Sequence, residues 1–340
     1  MTAQPALSIK LDAPSRRAAF LDRVAVSIHV AVWYVGFVFL ALAPIVAYFV
    51  PFVRLPLLLY IGYIWGPGAR AGFQANGPGF LYRIPLWDRY VDYFGAQLHK
   101  TAPIPGDRPY IFCVHPHGIY NFSGILAFCT SALGFDRLFP GVKVNFLGAS
   151  GNFKIPLLRE YLIGLGMGDV SKAGCLKALT AGRSIGIAIG GREEGLLAAP
   201  GKADITLEKR KGFVAIALTT GAALVPVYAF GENDLYDTAY GFPKGHVLRR
   251  LQRLLAPIDL PVMLGAGLFF SRGFLPKQRP LNVVVGEPII LPKFTGSTKT
   301  QVFRDMVDKY HNIYTESLTR LHAAHADRFA PGGDELRVVM

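Results

Sequence analysis

The chain has 340 residues, enough for one large domain or two ordinary ones, and 51% of them are hydrophobic with a mean hydropathy of +0.33, high for a wholly soluble enzyme. Lys and Arg outnumber Asp and Glu by 36 to 23, a net +13 that suits a phosphate-bearing ligand, an anionic lipid surface or nucleic acid. The three cysteines, Cys113, Cys129 and Cys175, form neither a C-x-x-C pair nor an even set, which argues against a disulfide scaffold and places the chain on the reducing side of a membrane.

Residues 1–23 form a basic tail, where Lys10, Arg16, Arg17 and Arg23 outnumber Asp12 and Asp22. Residues 24–53 then carry no Lys, Arg, Asp or Glu, and after Arg54 the run 55–69 is again uncharged. A transmembrane helix needs about 20 apolar residues, so the first run is long enough to cross a bilayer. Pro44, Pro51 and Pro56 stand where a straight second span would begin, so a membrane hairpin over 24–69 fits at least as well as two full spans. Arg70, Arg83 and Arg89 follow the apolar region, so both flanks are positive and both ends are expected in the cytosol. The stretch is about twice the length of a signal-peptide apolar core, which argues against a cleaved leader.

The Gly/Pro-rich connector "GPGARAGFQANGPG" places a boundary near Arg70, and 70–340 is expected to be a cytosolic-facing domain. Short apolar runs at 110–114, 142–147, 184–189, 223–230 and 281–285 read as buried strands. Between them, 122–133, 153–165, 171–181 and 210–220 read as helices, the third opened by Ser171 as N-cap. This alternation predicts an α/β sheet flanked by helices. Residues 298–328, with Phe303, Val307, Tyr310, Tyr314 and Leu318 at helical spacing, read as a long amphipathic closing helix.

Three segments carry candidate chemistry. "HPHG" puts His115 and His117 at the C-terminal end of the first strand of the α/β part, the edge where open α/β sheets bind ligands. An imidazole there suits proton abstraction from a hydroxyl; two metal ligands lacking a third, or loop histidines satisfied by carbonyls, are the competing readings. "GGREE" ends another strand on Gly190 and Gly191, which let backbone N–H groups approach a ligand, and then supplies Glu193 and Glu194. Glu194 is the candidate to orient a base or hold an acceptor, against a solvated acidic pair. Lys209, Arg210 and Lys211 gather at a helix start where N–H groups already favour anions, so cations there suggest a bound polyphosphate; a solvated basic turn is the alternative. Arg159, Arg183 and Arg192 are further cations for the same surface.

With these blocks in view, the chain resembles the type 2 diacylglycerol acyltransferases and their monoacylglycerol and wax-alcohol relatives over roughly residues 30–330. The resemblance rests on "HPHG" at 115–118, "LFPG" at 138–141, "IPLLRE" at 155–160, "GGREE" at 190–194, "RKGFVAIALTTGAALVPVYAFGEND" at 210–234 and "VVGEPI" at 284–289, in the family's order. "FLAL", with Phe39, Leu40 and Leu42, looks like the family's neutral-lipid-binding pattern. The resemblance implies a glycerolipid-acyltransferase-like fold and transfer of a fatty acyl group from acyl-CoA to the free hydroxyl of diacylglycerol, with monoacylglycerol or a long-chain alcohol as alternative acceptors. It also implies work at the cytosolic face of the endoplasmic reticulum or at lipid droplets.

In this reading His115 and His117 are catalytic with Glu194, His117 slightly preferred as base because Pro116 restricts His115. Backbone N–H groups at Gly118, Gly190 and Gly191 would hold an oxyanion, and Arg159, Arg210 and Lys211 the CoA phosphates. Acyl-CoA is a co-substrate, and no metal or other cofactor is called for. The expected partners are acyl-CoA, a neutral lipid and a membrane; a homo-oligomer is compatible with the sequence, which leaves that state open.

Departures narrow the field. Five residues beyond the histidines stand Tyr120 and Phe122, so the H-x-x-x-x-D partner of glycerophosphate acyltransferases is missing and a phosphorylated acceptor is disfavoured. "GASGN" has the wrong spacing for a serine nucleophile elbow, and "GLGMG" is no dinucleotide fingerprint. A non-catalytic droplet-coating protein would not need the histidine and glutamate motifs. Nucleic-acid binding is disfavoured by dispersed charge and the absence of a zinc-knuckle or aromatic RNA-binding motif.

Overall fold

A first helix, α1 (Arg16–Phe49), runs through Pro44 to a 3-10 turn at Pro51–Val53, from which α2 (Arg54–Trp65) returns. The structure, a computed structural model, describes residues 16–66, 77–243, 245–255 and 262–339. Most of the basic tail and the boundary expected near Arg70 lie outside the described residues. The turn is tied by Arg54, whose guanidinium donates to the carbonyls of Ala47 and Tyr48 at the end of α1. Phe39 and Tyr60 meet edge to face at 6.0 Å, so the two helices face one another as the proline pattern predicts for a hairpin. Within α1, Ala19–Phe49 is apolar and long enough to cross a membrane, with 17% of its most apolar window buried.

The halves of α1 differ. In the first, Ala25, Val26 and Val30 are buried against α3 (Leu86–Phe94), and Tyr90 donates to the Ala25 carbonyl. In the second, Phe37, Leu42, Ile45 and Phe49 are at least half exposed.

The remaining chain alternates strand and helix. After α3 come β1 (Gln97–Lys100), β2 (Tyr110–His115), α4 (Phe122–Phe128), α5 (Phe135–Leu138), β3 (Val144–Gly148), α6 (Leu158–Gly164), β4 (Gly168–Asp169) and α7 (Lys172–Thr180). Next are β5 (Ser184–Ala188), α8 (Gly191–Leu197), β6 (Asp204–Ile205), α9 (Gly212–Thr220) and β7 (Ala223–Phe230). The last are β8 (Asp237–Thr238), α10 (Val247–Leu255), β9 (Met263–Leu264), β10 (Asn282–Val285), α11 (Gln301–Phe329) and β11 (Arg337–Val338).

Seven strands make the main sheet in the order β1-β10-β7-β2-β5-β3-β4, with β10 antiparallel to β7 and every other neighbour parallel. The five strands expected from sequence are all present. Because side chains alternate along a strand, Phe112 and Val114 join the core beneath α3 and α4, while Ile111 and Cys113 join the core beneath α7, α9 and α11. The central strands β2, β5 and β7 are apolar on both faces for that reason.

Helix boundaries shift where local chemistry intervenes. The helix expected over 153–165 begins at Leu158, because Pro156 cannot continue a preceding turn and Leu157 takes a positive φ of 66°. The helix expected over 122–133 ends at Phe128, and Cys129 closes it with an N–H to the Ile125 carbonyl. Ser171 caps α7 as expected, accepting from the Gly174 N–H, and Thr300 caps α11 likewise.

Candidate active site

Three parallel neighbours, β7, β2 and β5, end side by side, and each end carries titratable or glycine-rich chemistry: Gly231-Glu232, His115 to Gly118, and Gly190 to Glu194. The register pairs His115 with Tyr228 and Val114 with Ala188, which sets the three turns at one level. Topology brings these residues together across more than a hundred positions of sequence, at the sheet edge where ligands bind in open α/β folds.

Glu194 is the hub. It is 1% exposed, one carboxylate oxygen accepts from the His117 N–H at 2.7 Å, and the other accepts from the Thr206 N–H at 2.8 Å. The second oxygen also lies 3.5 Å from Nδ1 of His115, long for a hydrogen bond but correct in pairing for a base and its orienting carboxylate. His115 is 0% exposed, and both ring nitrogens are buried without a hydrogen-bond partner. Orphaned buried polar atoms are rare, and at an active site they mark where a reacting group is expected. The adjoining peptide bond to Pro116 is cis.

His117 is placed differently. Its ring is half-buried, and Nδ1 lies 2.9 Å from the Gly118 carbonyl oxygen. A carbonyl can only accept, so Nδ1 carries the proton and Nε2 is left as the acceptor.

Close approach explains two of the glycines. Gly118 has φ of +60°, and a Cβ there would sit 2.6 Å from Oε1 of Glu232. At Gly190 an added Cβ would collide with the Glu194 carboxylate, and the Gly190 carbonyl accepts from the Thr206 hydroxyl at 3.1 Å. These turns need bare backbone because carboxylates pack directly on them.

The cations are only partly gathered. Arg210 reaches the diglycine turn, donating to Glu193 at 2.7 Å and approaching the Gly190 carbonyl at 3.5 Å. Lys211 caps α9 and pairs with Asp308 of α11 at 2.7 Å. Arg159 is not with them: it is buried in α6, donates to the Phe153 carbonyl, and lies over the Tyr63 ring of α2 at 5.1 Å. Arg183 hydrogen-bonds Asn145. Phe39, Leu40 and Leu42 lie on α1 near its turn, Leu42 half exposed. Among the described residues, no group of three His, Cys, Asp or Glu side chains is arranged to hold a metal ion.

Sequence reasoning missed Glu232. It is buried, its two oxygens accept from the Phe122 and Ser123 N–H groups that open α4, and burial pushes its carboxyl up to about 7 against those hydrogen bonds. Through this contact and its packing on Gly118, Glu232 braces the loop that carries His117. The signal was available in "AFGEND": a strand, a glycine and an acid, the same grammar as "GGREE" at the neighbouring strand end. Thr206 was also missed, and no motif announces it, because it acts through its backbone N–H.

The chain has known counterparts. A family model described as diacylglycerol acyltransferase matches residues 48–339. A Dictyostelium discoideum protein named diacylglycerol O-acyltransferase 2 is 42% identical over 72% of this chain and 74% of its own length. Diacylglycerol O-acyltransferase 2A of Umbelopsis ramanniana is 36% identical over 86% and 82%, and diacylglycerol O-acyltransferase 2 of Danio rerio 41% identical over 80% and 76%. Among solved structures, the 1-acyl-sn-glycerophosphate acyltransferase PlsC of Thermotoga maritima aligns with a TM-score of 0.42 and 15% identity, over 71% of this chain and 77% of that one.

Proposed function

The chain belongs to the diacylglycerol acyltransferase family, and from that premise we propose that it moves a fatty acyl group from acyl-CoA to the free hydroxyl of diacylglycerol, with His115 as general base. The observation that carries the reading is the buried His115–Glu194 pair with its unpartnered Nε2. Nε2 takes the hydroxyl proton as the acceptor oxygen attacks the thioester carbonyl carbon. The tetrahedral oxyanion is held by backbone N–H groups of the turns at Gly118, Gly190 and Gly191. The C–S bond then breaks, and the leaving sulfur takes back the proton, so triacylglycerol and CoA are released.

Glu194 supports the base in two ways. Its charge beside Nδ1 favours a proton on that nitrogen, which leaves Nε2 as acceptor, and it steadies the transient imidazolium. Unit charges 3.5 Å apart interact by about 5 kcal/mol at an effective dielectric near 20. Since ~1.4 kcal/mol is a tenfold rate effect, such a pair accounts for a substantial part of a general-base contribution. This geometry favours His115 over His117, reversing the slight preference drawn from Pro116.

Arg210 and Lys211 meet the CoA phosphates, exchanging their present carboxylate partners for them. Arg159 takes another part, clamping α2 onto α6. The hairpin seats the enzyme in the cytosolic face of the endoplasmic reticulum membrane, within reach of an acceptor dissolved in the bilayer, and lipid droplets are a second location.

The test uses membranes from a host lacking neutral-lipid acyltransferases, given labelled acyl-CoA with diacylglycerol, monoacylglycerol or hexadecanol in separate reactions. Labelled triacylglycerol, lost in His115→Ala, is the expected result. Product from monoacylglycerol or hexadecanol alone overturns the acceptor, and no product from folded protein overturns the enzyme.

A further inference from the structure

A tight loop between β9 and β10 holds three phenylalanines in the open: Phe269, Phe270 and Phe274 are 77%, 81% and 66% exposed. Their exposure is not a lack of structure. Ala266 and Leu275 exchange backbone hydrogen bonds at 2.7 and 2.9 Å, and Gly265 pairs with Gly273 in the same antiparallel manner. Tyr236 donates to the Phe274 carbonyl at 3.2 Å, and Tyr93 to the Pro276 carbonyl at 2.6 Å. The protein therefore spends ordered backbone on displaying roughly 400 Å² of aromatic surface, as large as the patches that mark interaction sites.

Two contacts place that surface beside α1. Phe269 packs on Phe20 and Phe274 on Tyr34, each with ring centroids 6.3 Å apart. Phe20 and Tyr34 lie about 21 Å apart along α1, so the loop runs beside the first half of the helix that leads into the hairpin. Charge agrees: Arg272 and Arg279 are exposed, Arg23 is exposed on the adjoining turn of α1, and no Asp or Glu occurs from 260 to 286. Aromatic rings at the interface with cations alongside are the chemistry of an anionic phospholipid headgroup layer.

We infer that residues 266–275 form a second lipid-contacting surface, a rigid aromatic tip that enters the headgroup layer of an anionic bilayer beside α1. This rests on the membrane reading of the hairpin. It adds a consequence: the α/β domain is held at two separated places, which fixes its tilt and keeps the sheet edge at a set height above the lipid.

The full chain, reconstituted in nanodiscs of phosphatidylcholine and phosphatidylserine, tests this with an environment-sensitive fluorophore on Phe270→Cys. Cys113, Cys129 and Cys175 are buried, so the introduced thiol takes the label. Phe52→Cys at the hairpin turn and Val302→Cys on α11, both exposed, serve as lipid and solvent references. Nitroxide-bearing lipids should quench position 270 at least about twice as strongly as 302, and less so without phosphatidylserine. Quenching at 52 but not at 270, reproduced with Phe269→Cys, overturns the second surface and leaves the hairpin standing. Absence of quenching at both overturns the hairpin reading and this proposal together. Quenching at 270 that ignores phosphatidylserine overturns the headgroup assignment.

Discussion

Where β2, β5 and β7 end, side chains that prefer water are inside: His115, Glu194 and Glu232 are each at most 2% exposed. Along the second half of α1, the turn and α2, side chains that avoid water are outside, with Phe49, Phe52, Leu55 and Leu59 between 65% and 81% exposed. A soluble domain of this size buries charge only when it is paired and seldom exposes a large apolar patch. The two inversions have different partners. At the sheet edge the protein supplies most of them itself: two N–H groups for each glutamate, and bare glycine backbone for room. On the hairpin the chain supplies few, and the membrane proposed above is the partner that would cover the rest.

The largest effects should therefore come from the edge. His115→Ala should lower kcat by about a thousandfold, within the usual span for a general base, with the protein still folded and membrane-bound. His117→Ala should cost about tenfold, since its ring is half-buried and faces its own loop. A reversed order would move the base to His117. Glu194→Gln should cost about a hundredfold in kcat with little change in KM, because the amide cannot balance an imidazolium. An equal loss in protein level instead would reduce Glu194 to a structural brace.

Next in size is the cationic turn. Arg210→Ala with Lys211→Ala should raise the acyl-CoA KM by about tenfold while leaving the diacylglycerol KM unchanged, and added salt should narrow the gap. The surface ion pairs of these residues with Glu193 and Asp308 are exposed and weak, so they do not hold the cations back from a phosphate. A double variant with an unaltered acyl-CoA KM would leave the phosphate site unassigned.

Glu232 gives a pH signature of the buried edge. Its carboxyl titrates near 4.5 when unfolded and is raised to about 7 in the fold by burial. Between these values the folded chain binds the extra proton, so this group's share of stability is greatest below pH 4.5 and falls as pH rises through 7. Melting temperature in detergent should follow that slope, and Glu232→Gln should flatten it. A slope unchanged in the variant would mean that the carboxyl is not perturbed.

Much of this was legible beforehand, for identifiable reasons. The five central strands announce themselves because both faces are buried, so their sequences are continuous apolar runs such as "ALVPVYAF". Edge strands do not: β1 reads Gln-Leu-His-Lys, and β4 is only Gly168-Asp169. The motif histidines and glycines were visible as residue types, while the choice between His115 and His117 depended on which ring Glu194 faces. That is a cross-strand relation between β2 and the turn after β5, and no local spacing encodes it. The separation of Arg159 from Arg210 and Lys211 was illegible for a similar reason. A buried Arg stacked on Tyr63 and an exposed Arg awaiting phosphate look alike in one dimension.

The smallest predicted effect bears on whether the two regions are separate at all. The hydroxyls of Tyr34 on α1 and Tyr120, three residues beyond His117, lie 2.9 Å apart, and Tyr120 also packs on Trp33 and Phe122. Tyr34→Phe removes that hydrogen bond and keeps the ring, at a cost of about 1 kcal/mol in stability. If the hairpin only anchors, kcat should stay within about threefold of the parent, because Glu232 and Glu194 hold the histidine loop from the other side. A tenfold loss with normal folding would show that α1 helps set the catalytic loop. The contrast between the proposed catalytic edge and the proposed membrane hairpin would then give way to a single device, in which insertion of the helix adjusts the base.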